Sequence, residues 1–130
     1  MYSDNGEALV RASTADHLIV RVASLFDIGG SRAKGGTSFV ATMLANARAG
    51  KPLRVVNDQI HSPSYAPDAA ATTVALLRRR ARGIVHVTNM GWCSWFEMAS
   101  AVFAEAGIEA DLTPSSMRDL SPGGPPRPRY

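Results

Sequence analysis

The chain contains one cysteine, Cys93, so no intrachain disulfide can form and a metal centre built on several cysteines is excluded. Aromatic residues make up only 7%. The longest apolar stretch, around Leu18 to Phe26, is broken by Arg21 and is far too short to span a bilayer. Charge of one sign is also scarce: 14 basic residues face 11 acidic ones, and the arginines at 78–82 are not interleaved with aromatics, which argues against a nucleic-acid partner. The opening MYSDNGEALV lacks a basic segment followed by an apolar one, so it does not read as a signal peptide. A soluble cytoplasmic protein is the expectation.

The familiar chemistry motifs are missing too. No G-x-G-x-x-G follows a strand, so the usual dinucleotide cradle is lacking. Gly30 and Gly35 have P-loop spacing, but Gly36 stands where the phosphate-reaching lysine belongs. No G-x-S-x-G elbow exists. His17, His61 and His86 lie on separate elements without metal-ligand spacing, and read as structural or surface residues.

What is present is a folded-protein composition, 45% hydrophobic and 19% charged, over 130 residues, enough for one domain with a modest core. GEALVRAS reads as the end of a helix with Ala8, Leu9 and Ala12 on one side. HLIVRVASLF reads as a strand buried on both faces of a parallel sheet. DIGGSRAKGG, with four glycines, is a loop. Phe39, Val40, Met43, Leu44 and Ala47 have helical spacing, and Gly50 follows as a stop. KPLRVVND is a short strand. Ser64 is the expected N-cap of a helix to about Arg80, with Ala66, Ala69, Ala70, Thr73, Val74 and Leu77 toward the core. The arginines at its end suit the helix dipole, as a solvated terminus rather than an anion site. GIVHVTN is a strand, Ser94 and Glu97 form a capping box for a helix over 95–106 closed by Gly107, and a last strand is expected near Ala110 to Thr113. This alternation predicts an α/β fold with parallel strands.

The informative stretch is LRVVNDQIHSPSYAPD, residues 53–68, where a strand end, a polar loop and a helix start follow one another. Ligands of open α/β sheets bind outside the C-terminal ends of strands. Asp58, Gln59, His61, Ser62, Ser64 and Tyr65 offer donors and acceptors there. Equally, Asp58 and Ser64 can serve only the turn and the cap.

The pattern V-V-x-D-Q-x-x-S-P-x-Y-A-x-D-x-A resembles the dTDP-4-dehydrorhamnose reductase family. LIVRVASLF is similar to that family's strand end, KGGTSFVATML to its G-x-N-F-V-x-x-M helix start, GIVHVTNMGWCSWFEMASAVFAEAG to its H-[LV]-[TS]-N-x-G-x-[CT]-S-W segment, and RPRY to its terminal R-P motif. Five blocks in order cover residues 18–130. The resemblance implies the C-terminal part of an extended short-chain dehydrogenase, a Rossmann-like fold, here one partial domain over 1–130 without the dinucleotide-binding half. It implies a nucleotide sugar of the dTDP-rhamnose kind as ligand and NADPH as the full-length family's cofactor, with no cofactor expected on this chain alone. The family reduces the C4 ketone of dTDP-4-dehydro-L-rhamnose, using a tyrosine of Tyr-x-x-x-Lys as proton donor. Tyr2 stands near that place, but Gly6 replaces the lysine, so no hydride chemistry is expected from these residues.

The resemblance points to Ser24 and Phe26 at a strand end, Ser38 and Phe39 at a helix start, and Gln59, His61, Ser62, Ser64 and Tyr65 on the loop as substrate contacts. Arg127 is a candidate phosphate or base contact, with a solvated tail residue as the competing reading. Ser24, Ser38, Asp27 and His61 depart from the family's usual residues, His61 by replacing glycine, which leaves the exact sugar open. Trp95 reads as packing, Trp92 stays undecided between packing and stacking, and Cys93 reads as a small buried residue rather than a nucleophile. A non-catalytic binding or regulatory subunit is the alternative, because a member of the family serves as a regulatory subunit. PPRPRY as a ligand of a proline-binding domain is a weaker third reading. A sheet lacking its first strands would expose an apolar edge, so self-association or a partner chain is expected.

Overall fold

The computed structural model describes residues 2–27, 29–30, 35–120 and 122–123. Arg127 and most of the Pro-rich tail lie outside the described residues. The order is α1 (Tyr2–Ser13), β1 (Leu18–Val22), β2 (Leu25–Phe26), α2 (Phe39–Arg48), β3 (Leu53–Val56), β4 (Ile60–His61), β5 (Ser64–Tyr65), α3 (Ala66–Arg78), β6 (Gly83–Val87), β7 (Cys93–Ser94), α4 (Trp95–Ala106), β8 (Leu112–Ser115) and α5 (Met117–Leu120). The expected α/β alternation is there. The strands pair two by two: β1 with β6, β2 with β5 and β3 with β8 in parallel, β4 with β7 antiparallel.

The core lies where β3 and β8 meet α2 and α4. Leu53, Val55, Ala99 and Phe103 are buried together, with Phe39, Met43, Leu44 and Trp95 packed around them. α4 is started by the expected capping box: Ser94 Oγ accepts the Glu97 N–H, and Glu97 accepts the Ser94 N–H. It ends at Gly107, whose φ of 63° is the left-handed conformation that glycine adopts without the strain a side chain brings. α2 likewise starts on Ser38, whose hydroxyl accepts the Ala41 N–H at 3.1 Å. The last strand runs two residues beyond the expected one and takes Pro114 into its ladder, tolerated because β8 pairs only with β3 among the described residues.

Several expectations need correction. The segment HLIVRVASLF is not one strand buried on both faces. Val22 is 42% exposed, and the chain kinks at Ser24, whose φ of 40° separates β1 from β2. Among the described residues the β1–β6 ladder has two strands, not the wide sheet whose inner strands are covered on both faces. Ser64 is not the N-cap of α3. Tyr65 is, and no side chain of its own caps that helix. The inner stripe of α3 is the buried Ala69 with the half-buried Ala66, Thr73 and Leu76, whereas Ala70, Val74 and Leu77 face outward. Thr73 Oγ donates to the Ala69 carbonyl at 2.7 Å, which satisfies the hydroxyl on that inner stripe. In α1, Ala8, Leu9 and Ala12 are all exposed. Glu7 instead joins the helix to the ladder through a two-point pair with Arg21, at 2.9 and 2.7 Å. That guanidinium holds the Glu7 carboxyl below its usual range. The arginines ending α3 are solvent-facing, and Arg82 pairs with Asp16. Among the described residues no helix is long and apolar enough to cross a membrane.

Candidate functional site

The short ladders gather the loop of residues 57–65 against two strand ends. β2 beside β5 sets Leu25 opposite Ser64 and Phe26 opposite Tyr65. The Ser64 N–H donates to the Ser24 carbonyl at 3.2 Å, and the Phe26 and Tyr65 rings lie 5.5 Å apart. Ser24 holds its left-handed conformation without being glycine, a strain of about 1–3 kcal/mol that tends to persist at binding sites.

These rings open onto a cavity of about 370 Å³. Phe26, Pro63 and Tyr65 line one part of it, and Asn89, Met90, Gly91, Trp92 and Cys93 the rest. Met90 is fully exposed and Trp92 is 76% exposed, so neither is used to fill a core. The undecided Trp92 is therefore a wall of the cavity. Cys93 is half-buried, and burial, with the Glu97 carboxylate adding to it, pushes its thiol up. This is the opposite of what an activated nucleophile needs.

Asn89 sits at the end of β6 and has two partners. Its Oδ1 accepts the Tyr65 N–H at 2.7 Å and its Nδ2 donates to Asp68 Oδ2 at 2.9 Å. The sequence reading missed it. The available signal was an amide two residues past a strand, at the C-terminal edge where α/β ligands bind.

A second cluster forms one step along the loop. β4 pairs with β7, bringing His61 opposite Cys93. The His61 ring stacks on Trp95 with centroids 3.9 Å apart, and Phe39 meets the same indole edge-on at 4.8 Å. Both His61 nitrogens are shut off from solvent and have no hydrogen-bond partner among the described residues. Burial pushes the His61 pKa down, which favours the uncharged ring. A phosphate contact from it would be a hydrogen bond without charge.

The expected site residues thus fall into groups. Ser24, Phe26, Ser64 and Tyr65 converge, although Ser64 is 1% exposed and its hydroxyl donates to the Ser62 carbonyl at 3.2 Å. Phe39 and His61 converge on Trp95. Ser38 uses its hydroxyl in the α2 cap. Gln59 and Ser62 are half-buried on the loop between, and Gln59 makes only a long 3.5 Å contact to the neighbouring Asp58 carbonyl among the described residues. Asp58 serves the fold: its Oδ1 accepts the Met117 N–H at 2.9 Å, tying the loop to α5. Arg127 lies outside the described residues. Among the described residues no group of three or more His, Cys, Asp or Glu side chains is placed to hold a metal.

Residues 3–130 match the RmlD substrate binding domain. The spore coat polysaccharide biosynthesis protein SpsK of Bacillus subtilis strain 168 is 39% identical over 125 residues, covering 96% of this chain and 41% of that protein. The dTDP-4-dehydrorhamnose reductase of Mycolicibacterium smegmatis is 32% identical over 126 residues, covering 96% of this chain and 37% of that one. The crystal structure of dTDP-4-dehydrorhamnose reductase from Bacillus anthracis str. Ames, in complex with NADP, has a TM-score of 0.84 at 33% identity, over 96% of this chain and 42% of that chain. The chain therefore spans about two-fifths of the length of these relatives. With three parallel strand pairs between helices, the loop of residues 57–65 and a match running from residue 3 to residue 130, this chain belongs to the RmlD substrate binding domain family.

Proposed function

We propose that this chain is the nucleotide-sugar-binding portion of an NADPH-dependent reductase that converts dTDP-4-dehydro-L-rhamnose to dTDP-L-rhamnose, and that it does not turn over alone. The observation that carries this reading is the cavity of about 370 Å³ at the strand ends, lined in part by the aromatic side chains of Phe26, Tyr65 and Trp92. Flat apolar walls suit a pyrimidine or a deoxysugar, and the half-buried Gln59 and Ser62 on the adjoining loop supply polar contacts. The first turn of α2, where Ser38 caps the Ala41 N–H, presents helix-start N–H groups of the kind that suit a pyrophosphate. Ser24, Phe26, Phe39, Gln59, Ser62, Tyr65 and Arg127 remain the proposed substrate contacts, with Trp92 added, while Ser38, His61 and Ser64, whose hydroxyls or ring nitrogens are engaged or closed off in the fold, are proposed to shape the site.

We further propose that this chain alone does not bind NADPH. The start of α3 carries Pro67 and Asp68, and the start of α4 is closed by Glu97, so carboxylates stand where a dinucleotide's pyrophosphate would need N–H groups. We derive no hydride step through this chain, and assign that chemistry to the length of the relatives that the chain does not match.

Calorimetric titration of the purified chain tests the reading. Binding of dTDP-L-rhamnose in the absence of NADPH, with no heat from NADPH alone, is the expected result. A folded chain that binds neither would sink it and favour a non-catalytic interaction role.

The uncovered apolar side chains fit self-association through a second copy. Leu9 is 71% exposed and Leu77 56%, and Val22, Val74 and Ile84 are uncovered as well. Light scattering is expected to report a dimer or larger species. A monodisperse monomer with cooperative unfolding would remove this part of the proposal.

A further inference from the structure

Two helices beside the site begin in related ways. In α4 the third helical residue, Glu97, reaches back and accepts the N–H of the N-cap Ser94 at 2.7 Å. α3 also has a carboxylate as its third helical residue, Asp68, but its side chain is one methylene shorter. Its N-cap is Tyr65, whose phenol makes no cap hydrogen bond. Asn89, arriving from the end of β6, stands between the two: the Tyr65 N–H donates to Asn89 Oδ1 at 2.7 Å, and Asn89 Nδ2 donates to Asp68 Oδ2 at 2.9 Å.

We propose that Asn89 is a positioning residue for the nucleotide-sugar site, closing a relayed capping box that holds Tyr65 against the cavity; this deepens the binding reading above and rests on it. The relay needs an acceptor and a donor on one short planar group, which among side chains of this length only asparagine offers. Aspartate would present acceptors alone and set a second carboxylate against Asp68. Serine is too short to span both partners. The bonds join parts of the chain that local structure does not connect. Tyr65 begins α3 and lies against Phe26, whereas Asn89 leads directly into Met90, Gly91 and Trp92. One amide therefore sets the spacing between the two groups of residues that line the cavity. Asn89 and Asp68 also border a smaller polar cavity of about 50 Å³, with Thr72 and Thr88. Room remains on that side for the pair to swing apart once the relay is broken.

Three variants, titrated with dTDP-L-rhamnose, test the assignment. N89A is expected to weaken binding about tenfold, the scale of one hydrogen bond to a backbone amide, and to speed hydrogen exchange at the Tyr65 amide. In N89A/D68E the longer carboxylate reaches the Tyr65 N–H directly, as Glu97 does for Ser94. This variant is expected to recover binding to within about threefold of the parent, together with Tyr65 protection. N89D keeps the shape but loses the donor. Its binding is expected to recover, relative to the parent, as pH falls and the facing carboxyls share a proton. An N89A affinity within about twofold of the parent would overturn the proposal. So would an N89A/D68E variant that regains Tyr65 protection without regaining affinity. A parent chain that binds no dTDP-L-rhamnose fails differently: the binding reading falls, and the role of Asn89 in it falls too.

Discussion

Replacing Phe103 with alanine is expected to lower the unfolding free energy by about 3–5 kcal/mol, read as a shift of the urea midpoint. Phe103 is 5% exposed and lies in the buried core cluster with Leu53, Val55 and Ala99. Truncation removes the transfer free energy of the ring and leaves a hole between α4 and the β3–β8 ladder, which these two strands cannot collapse to fill. A domain of this size has about 5–15 kcal/mol of total stability, so the loss removes from about a fifth to nearly all of it. Leu9→Ala is the control. Leu9 is 71% exposed on α1, and its loss should shift stability by less than about 0.5 kcal/mol. If the two variants moved the midpoint equally, the core would not lie between α4 and β3–β8.

Ser94→Ala is expected to cost about 2 kcal/mol. Ser94 is 1% exposed, and its hydroxyl does two things at once: it accepts the Glu97 N–H at 3.0 Å and donates to Asn57 Oδ1 at 2.7 Å. Alanine leaves the N–H at the start of α4 without its partner. Asn57 is exposed and can turn to water, so most of the loss is the cap itself. A double-mutant cycle with Asn57→Ala separates the two shares. A small coupling energy is expected, and a coupling that accounts for the whole loss would mean that the Asn57 bond, not the cap, anchors β7. Because Ser94 also pairs with Ile60 across β4–β7, the variant should loosen the His61–Trp95 stack, seen as a change in Trp95 fluorescence.

Both variants act on features that differ in how far the sequence announced them. The α4 cap was legible, since Ser94 and Glu97 stand at capping-box spacing before an apolar run, and the structure forms both reciprocal bonds. α2 was legible from the spacing of Phe39, Met43, Leu44 and Ala47, all of which pack on the core. α3 was legible as a helix, but not its rotation. Val74 and Leu77 satisfy the helical period as well as Leu76 does, and only the position of the β1–β6 ladder chooses the stripe built on Ala69 and Thr73. α1 shows the same ambiguity more strongly: its apolar side faces outward, and an ion pair from Glu7 to Arg21 attaches it.

At the site the loop of residues 57–65 stood out, because a strand end running into polar residues and a helix start is a local pattern. Its partners did not. Asn89 is 24 residues from Tyr65, and Trp95 is 34 from His61; neither periodicity nor spacing connects such pairs. The sequence by itself determined the alternation of helices and strands, the capping box at Ser94, and membership of a sugar-nucleotide-binding family. All of these depend on residues within a few positions of one another or on blocks in fixed order. Only the tertiary structure decided that the strands would pair two by two, that His61 would stack on Trp95, and that Asn89 would relay the α3 cap. Those outcomes depend on which distant side chains share a buried face, and that is settled by packing after the local elements have formed.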